Sequence, residues 1–243
     1  FAEPVGSCTD LSATLLQPLK DQFGKDFAIA PLTVLVDPKR LSYILDVGKS
    51  RLHPSAVYII RKQIEEADII VISKTDLLTQ DEVEGLKIRM AKEWPNSKIL
   101  TMSSKTGEGM ENWLNEVTNS TDAGANLAQV DYDIYAEGEA VLGWLNATLE
   151  LKGDSVDWDR FAENLLYELN RRFDDSNSVV GHVKLIIEAG KKFVIGNLTG
   201  MSDSLSIRRS TGVANEAKMT INARVQMEPE DLEKVVLEEI ANV

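Results

Sequence analysis

The sequence predicts an α/β domain built on a parallel sheet with flanking helices, followed by a smaller α+β domain with a mainly antiparallel sheet. In the first half of the chain, the apolar runs Leu32–Val36, Ile69–Ile72 and Lys98–Met102 alternate with segments of helical spacing. Near the carboxyl terminus, Lys218–Met227 alternates apolar and polar residues instead. Such alternation is typical of a strand that has one face in water.

The elements of the first domain follow from the spacing of apolar residues. Leu32–Val36 is a continuous run of β-forming residues, as central parallel strands are. Residues Asp10–Phe23 have leucines at helical spacing, and Asp10 is the expected cap. Further helices are expected at Leu41–Val47, Ser55–Ala67, Gln80–Glu93 and Met110–Asn119, with breaks around Gly48 and Pro54. Because helices and strands alternate, right-handed parallel crossovers should connect the strands.

A small polar stretch, Ser120–Asn126, is typical of a linker, so we place the domains at residues 1–122 and 128–243. Beyond it, Ala140–Leu151 has β character, and Gly153-Asp154 is expected to turn the chain. An amphipathic helix should run from about Asp157 to Phe173. Strands at Val179–Glu188, Lys192–Leu198, Leu205–Arg209 and Lys218–Met227 should follow, and then a terminal helix that begins near Pro229.

Composition excludes several classes of protein. The 243 residues are 43% hydrophobic and 27% charged, which is an ordinary globular balance. A net charge of −13 argues against nucleic acid as a partner and disfavours anionic membrane surfaces. The single cysteine rules out an internal disulfide and fits a reducing cytoplasm. No apolar stretch approaches the roughly 20 residues of a membrane span.

The loop Ser73-Lys74-Thr75-Asp76 directly follows the apolar run Ile69–Ile72. Ligands of open α/β sheets dock at this carboxyl edge. A fixed carboxylate here can accept two hydrogen bonds from the N1–H and amino group of guanine, a donor pair that adenine lacks. The lysine methylenes can lie along the base. The alternative is an ordinary strand-to-helix turn in which Asp76 caps a helix that opens at Leu77.

A second loop, Ser103-Ser104-Lys105, ends the next apolar run. In guanine-nucleotide proteins, a loop of this type meets the base from the other side through a backbone N–H. As in those proteins, Gly107 and a helix with an aromatic residue, Trp113, follow it. The two loops together favour guanine-nucleotide binding more strongly than either does alone.

Glu3-Pro4-Val5-Gly6 has the Glu-x-x-Gly form of a loop that senses a γ-phosphate. With the two base loops, it resembles the SIMIBI-class metallochaperone GTPases, namely the CobW-type cobalamin-synthesis proteins and the urease and hydrogenase maturation GTPases. Their Val-Asp strand end is matched by Val36-Asp37, and their Ala-Asp-x-Ile stretch by Ala67–Leu77. The resemblance covers residues 1–120 and implies a P-loop NTPase sheet that binds GTP or GDP with Mg²⁺.

The resemblance also implies roles for individual residues. Ser73, Lys74 and Asp76 would hold guanine, with Ser103, Ser104 and Lys105 closing over it. Glu3 and Gly6 would form the catalytic switch that responds to the γ-phosphate through water or magnesium. Hydrolysis would then drive release or insertion of a metal or corrinoid cofactor into a client metalloenzyme or corrinoid protein. Whether the protein forms a homodimer stays open.

The chain departs from this family in one respect, because no Gly-x-x-x-x-Gly-Lys-Ser/Thr occurs in it. That loop is the phosphate cradle of such proteins. Since the chain also opens on Phe1, we expect it to be the carboxyl-terminal part of a longer protein, with half of a nucleotide site. The alternative is a non-catalytic protein-interaction module on a degenerate GTPase scaffold.

Cys8 lies two residues beyond Gly6, where a switch loop would move. Its thiolate could contribute one ligand to zinc, cobalt or nickel. A metallochaperone normally needs two or three soft ligands, and a lone cysteine is more often a small packed hydrophobe. His53 and His182 have no cysteine or histidine at ligand spacing, so structural roles are expected for both.

Overall fold

A computed structural model describes residues 2–4, 6–46, 53–120, 123–199 and 205–243. The chain divides into two compact units, Phe1–Glu139 and Ala140–Val243. Several sequence-based expectations lie outside the described residues: Val5 of the Glu-x-x-Gly loop, the helix end at Val47 with the break at Gly48, and part of the polar stretch. Among the described helices, none combines the length and apolarity that crossing a bilayer requires.

The first unit contains a three-stranded parallel sheet, as the sequence predicts. Its strands are β1 (Thr33–Val36), β2 (Ile69–Ile72) and β3 (Lys98–Thr101), in the order β1-β2-β3. Its helices are α1 (Gln17–Phe23), α2 (Pro38–Leu45), α3 (Pro54–Glu65), α4 (Gln80–Glu93), α5 (Met110–Asn119) and α6 (Tyr132–Ala140). A π-helical turn, Ser12–Leu16, precedes α1, and a 3₁₀ turn, Thr75–Leu77, follows β2.

Helices cover β2 on both faces, which is why its sequence is continuously apolar. Ile70 and Ile72 pack with side chains of α2, α3 and α4, among them the fully buried Met90. Ile69 and Val71 pack on the opposite face against α5. All four residues of β2 are buried, so the strand forms the centre of the unit and fixes where its loop begins.

Two local features of the first unit differ from the sequence-based expectation. Asp10 does not cap a helix: it has a positive φ of 64°, and its carboxylate accepts a hydrogen bond from the hydroxyl of Tyr132. Helix α6 was not expected at all. It is held by tertiary contacts, including a 2.7 Å hydrogen bond from Ser55 Oγ to Glu137 Oε2, which local sequence patterns cannot reveal.

The second unit is a two-layer α+β structure. Its strands are β4 (Gly143–Asp157), β5 (Val180–Ala189), β6 (Lys192–Leu198), β7 (Ser206–Ser210) and β8 (Val213–Val225), and its helices are α7 (Trp158–Asp175) and α8 (Pro229–Asn242). The strands are antiparallel in the order β4-β8-β5-β6-β7. Alternate residues of the strands and the apolar sides of both helices form one core. The mainly antiparallel sheet of the second domain is thus confirmed.

Gly153-Asp154 does not turn the chain, contrary to expectation. Strand β4 continues to Asp157, and its pairing with β8 shifts register between Lys152 and Val156. At this bulge Ser155 has a φ of 53°, and its N–H donates to Asn215 Oδ1 at 2.9 Å. A bulge inserts extra residues while the strand continues, so a glycine here does not require a reversal.

Candidate guanine-binding site

The loop after β2 begins at Ser73, which joins the ends of β2 and β1. Its N–H and its Oγ both donate to the carbonyl oxygen of Val36, at 3.0 and 2.8 Å. The N–H of Thr75 in turn donates to the carbonyl oxygen of Met102 beyond β3, at 3.4 Å. The loop is therefore anchored to both neighbouring strand ends.

Asp76 and Ser103 come together at this edge of the sheet. Ser103 Oγ donates to Asp76 Oδ1 at 2.6 Å and itself accepts from the N–H of Thr106 at 3.2 Å. Ser103 is completely buried. Because its hydroxyl has a donor on one side and the carboxylate on the other, its proton is directed at Asp76 and fixes that side chain.

Lys105 approaches the other carboxylate oxygen of Asp76, with Nζ 3.7 Å from Oδ2. The Asp76 side chain is 14% exposed, whereas that of Lys105 is 74% exposed. The hydrogen bond from Ser103 and the charge of Lys105 lower the pKa of Asp76 from its ordinary value. Asp76 is therefore ionised at neutral pH. A carboxylate must be ionised in order to accept two N–H donors from a ligand.

Lys74 is held by an acidic residue that follows β1. Its Nζ lies 2.7 Å from Asp37 Oδ2, while Asp37 Oδ1 accepts the N–H groups of Lys39 and Arg40 and so caps α2. Burial raises the pKa of Asp37, but Lys74 and the two backbone donors outweigh it and lower the pKa overall. Lys74 has a φ of 55°, a left-handed conformation that costs about 1–2 kcal/mol in a non-glycine residue. The ion pair helps to offset that cost.

The second loop is shaped by a glycine turn. Gly107 N–H donates to the carbonyl oxygen of Ser103 at 2.8 Å, and Ser103 N–H donates to that of Glu108 at 2.9 Å. Gly109 has a φ of 75°, and a Cβ there would overlap the carbonyl oxygen of Thr101. Only glycine allows α5 to begin this close to β3. Ser104 and Lys105 are exposed at the outside of this turn.

Asp76 does not act as the helix cap that the alternative interpretation required. Helix α4 begins at Gln80 and is capped by Thr79, whose hydroxyl accepts from the N–H of Glu82. Glu82 completes a capping box by accepting from the backbone of Thr79. With that role filled, the carboxylate of Asp76 is directed towards the second loop.

The switch candidates Glu3 and Gly6 are both exposed, and the chain from Gly6 to Cys8 is bound to α3. Gln63 Nε2 donates to the carbonyl oxygens of Gly6 and Cys8, at 2.9 and 2.8 Å. No sequence motif predicts this contact, because a glutamine on an amphipathic helix usually faces solvent. The structure thus places Gly6 and Cys8 against α3, whereas Ser73–Asp76 and Ser103–Lys105 come together at the sheet edge.

Glu66, directly after α3, extends the same attachment. Its carboxylate accepts from Thr9 Oγ1 at 3.1 Å and from the N–H of Ser12 at 3.0 Å. Only 1% of Glu66 is exposed. Burial raises its pKa above the ordinary value, and the hydrogen bonds from Ser12 and Thr9 only partly counter that rise. Gln63 and Glu66 together hold residues 6–12, and sequence reasoning missed both.

No transition-metal site is assembled within the part of the chain that the structure describes, since no three His, Cys, Asp or Glu side chains converge there. Cys8 is a half-buried free thiol. His53 caps α3 by accepting the N–H of Ser55 at 3.3 Å, and His182 Nε2 lies 2.7 Å from Asn222 Oδ1. The two histidines have the structural roles that the sequence suggested.

Comparison with known proteins finds a family model that the first part of the chain resembles. Residues 1–101 match the family model described as CobW/HypB/UreG, nucleotide-binding domain. This part of the chain is therefore similar to the nucleotide-binding domains of CobW/HypB/UreG proteins. The resemblance inferred from the motifs is thereby confirmed, and the matched residues include Ser73–Asp76. The match ends at Thr101, just before Ser103–Lys105, so the second loop depends on the geometry described above.

Two solved structures are similar to the chain at low identity. The Zn(II)-bound YjiA GTPase from E. coli shares 14% identity at a TM-score of 0.27, over 92% of this chain and 65% of that one. A Zn(II)-bound triple mutant of YjiA GTPase gives 14% identity and a TM-score of 0.26, over 93% and 66%. Such loose superposition carries no inference about chemistry. No curated protein matches the chain.

Proposed function

We propose that this CobW/HypB/UreG segment reads the guanine base of GTP or GDP, and that the complete protein is a GTPase of the metallochaperone type. The observation that carries this proposal is the carboxylate of Asp76, fixed by Ser103 between two loops at the carboxyl edge of a parallel sheet. A ligand site at that edge is the general rule for open α/β sheets.

The chemistry of the site fits guanine. A carboxylate offers about four lone-pair positions, and Ser103 occupies one of those on Asp76. The remaining positions suit the N1–H and amino donors of guanine. Adenine presents an acceptor at N1 instead of a donor, so the Asp76 carboxylate would lose a hydrogen bond to the base. The stem of Lys74, fixed at its tip by Asp37, can line one face of the base.

The described residues fit the base end of the nucleotide and not its phosphate end. No Gly-x-x-x-x-Gly-Lys-Ser/Thr occurs in the 243 residues, so phosphate and Mg²⁺ binding would have to come from elsewhere. In this proposal Glu3 and Gly6 form the γ-phosphate switch. Phosphoryl transfer depends chiefly on positioning and electrostatic stabilisation, which a switch segment can supply.

The cargo in this proposal is a transition metal such as zinc, cobalt or nickel, or a corrinoid bound for a client enzyme. Cys8 would contribute one soft ligand from the segment that the switch moves. Because the described residues bring no second and third ligand to it, the metal would be shared with further protein groups. GTP hydrolysis could then change the affinity for cargo only if the two nucleotide states hold Cys8 differently.

Base selectivity tests the proposal directly. We expect the complete natural protein to bind GTP over ATP in competition against a fluorescent guanine nucleotide. Asp76→Asn should weaken GTP binding roughly 10- to 100-fold, the effect of losing a charged hydrogen bond, and should shift preference towards xanthosine triphosphate. Ser103→Ala should weaken GTP binding without that shift, because it loosens the carboxylate but leaves its chemistry.

The matched control is Asp81→Asn, which removes an equal charge from the exposed first turn of α4. It should leave both affinity and selectivity unchanged. If Asp76→Asn keeps the selectivity of the natural protein, Asp76 is not in the base site and the proposed function fails.

A further inference from the structure

One face of the sheet in the second unit is covered by helices and the other is not. Helices α7 and α8 both pack on the side that carries Leu185, Ile187 and Ile221. The opposite side, which we call the open face, presents the alternate residues of β4, β8, β5, β6 and β7. No described element of the second unit belongs to a layer over it.

The open face combines an exposed indole with cations in neighbouring strands. Trp144, Arg224 and His182 occupy one cross-strand row. Trp144 is 55% exposed, and the guanidinium of Arg224 lies 5.5 Å from the centre of its ring. A stacked arginine keeps its positive charge. This row therefore offers both an apolar surface and a positive charge.

The next two rows continue the same character. Lys184 lies in the row of Asn146 and Asn222, and Arg208 lies in the row of Ile186 and Ile195. Ile186 is 41% exposed. Across these three rows, all within the described residues, there is no carboxylate side chain. Acidic residues enter only in the fourth row, where Glu150 and Glu188 flank Lys218.

This charge is opposite in sign to that of the whole chain, which carries −13. A solvated surface would be expected to share the acidic balance of the rest. Exposed apolar side chains that are surrounded by positively charged side chains are instead typical of an interaction surface. We propose that the open face binds an acidic segment of a partner protein, in which carboxylates flank an apolar side chain.

The occupant is chosen by charge and by shape. Carboxylates of such a segment would meet Lys184 and Arg208, and its apolar side chain would rest on Ile186. A nucleic acid fits less well, because the phosphate charge recurs along its whole length and the net charge of −13 repels it. The inference concerns the second unit and goes beyond the proposed nucleotide function.

The experiment uses the full chain, a charge-reversed variant and a matched control. Lys184→Glu with Arg208→Glu reverses two cations of the open face. Lys191→Glu with Lys192→Glu makes the same charge change at the exposed turn between β5 and β6. Peptides are selected from a random display library on the natural chain, and the affinity of the strongest is measured on all three proteins.

We expect the selected peptides to be enriched in Asp and Glu around an apolar residue. Their affinity should fall at least about tenfold in the open-face variant, stay unchanged in the control and weaken with added salt. Circular dichroism of both variants checks that the sheet is intact. Trp144→Ala, which keeps every charge, should weaken the same peptides.

Several results would overturn the proposal. One is a selection that yields no acidic peptides, or peptides that bind the two variants equally. Another is tighter binding of oligothymidylate than of the selected peptide, which would identify the face as a nucleic-acid surface. A third is self-association of the natural chain in sedimentation that only the open-face variant abolishes, which would make the face an interface between copies.

Discussion

Asp76 and Asp159 show how one residue type is given different roles by its hydrogen-bond donors. Asp76 accepts from Ser103, is approached by the exposed Lys105, and keeps lone pairs for a ligand. Asp159, in the first turn of α7, is enclosed by donors from the turn between β7 and β8. It accepts from Ser210 Oγ, from the N–H and Oγ1 of Thr211, and from the N–H of Gly212. The first arrangement suits binding, and the second ties a helix to a hairpin.

The donors around Asp159 predict a pH-dependent contribution to stability. Burial raises its pKa, but the hydrogen bonds from Ser210, Thr211 and Gly212 outweigh burial and lower the pKa below the ordinary 3.8. The contribution is therefore complete above the unfolded-state pKa and is lost as pH falls through the folded-state pKa. Asp159→Asn should lower the free energy of unfolding by roughly 1–2 kcal/mol at pH near 7.

Urea denaturation of Asp159→Asn and of the natural chain measures this difference at neutral pH and again in acid. The two curves should converge as the pH falls below the ordinary pKa of an aspartate. Asp154→Asn, at the exposed bulge of β4, is the control and should behave like the natural chain. A gap that stays constant with pH would mean that the charge of Asp159 does not stabilise the turn.

At the scale of elements, α3 links the proposed switch segment to the loop Ser73–Asp76. Its carboxyl end holds residues 6–12 through Gln63 and Glu66. One residue after Glu66 the chain enters Ala67-Asp68 and then β2, whose end carries Ser73. Helix α3 and strand β2 thus connect residues 6–12 with the loop Ser73–Asp76. A movement of α3 would therefore shift both segments.

Cys8 reports on this link, because it is the only cysteine in the chain. Gln63→Ala removes the donor shared by the carbonyl oxygens of Gly6 and Cys8. Losing two hydrogen bonds should open the segment more often, and a maleimide should label Cys8 roughly three- to tenfold faster. The control is Gln80→Ala, at the exposed start of α4. Equal labelling rates in all three proteins would show that Gln63 does not hold the segment.

The sequence predicts elements well where the local pattern and the tertiary environment agree. Strand β2 was predicted at Ile69–Ile72 because both of its faces are buried, and the structure has these bounds. Helix α6 was missed because Tyr132 and Ile134 stay exposed, and Gly138 packs against Ile59 instead. That contact joins distant parts of the chain, so no window of sequence contains it.

The same division applies to the candidate site. Two loops that end neighbouring parallel strands must lie close together, so Asp76 and Ser103 could be paired from strand order alone. The sequence does not predict the ion pair of Lys74 with Asp37 or the attachment through Gln63. Both contacts depend on how far a side chain extends and on how a helix is rotated about its axis. The same sequence pattern is compatible with many such arrangements.

At the scale of the whole molecule, each of the two units has apolar cores built from its own described residues. The larger core consists of residues from the second unit, including the fully buried Leu169 of α7. The cores around β2 consist of residues from the first unit, including the fully buried Met90 of α4. We therefore expect a defect in one core to act mainly within its own unit.

This separation predicts that core truncations act locally. Leu169→Ala and Met90→Ala each remove a fully buried helical side chain and should each cost about 2–5 kcal/mol in their own unit. Hydrogen exchange followed by mass spectrometry should show faster exchange in β4–β8 for Leu169→Ala, with β1–β3 unchanged. Met90→Ala should show the converse, and each variant is the control for the other. Faster exchange throughout the chain in both variants would mean that the two cores unfold as one cooperative unit, despite having no residue in common.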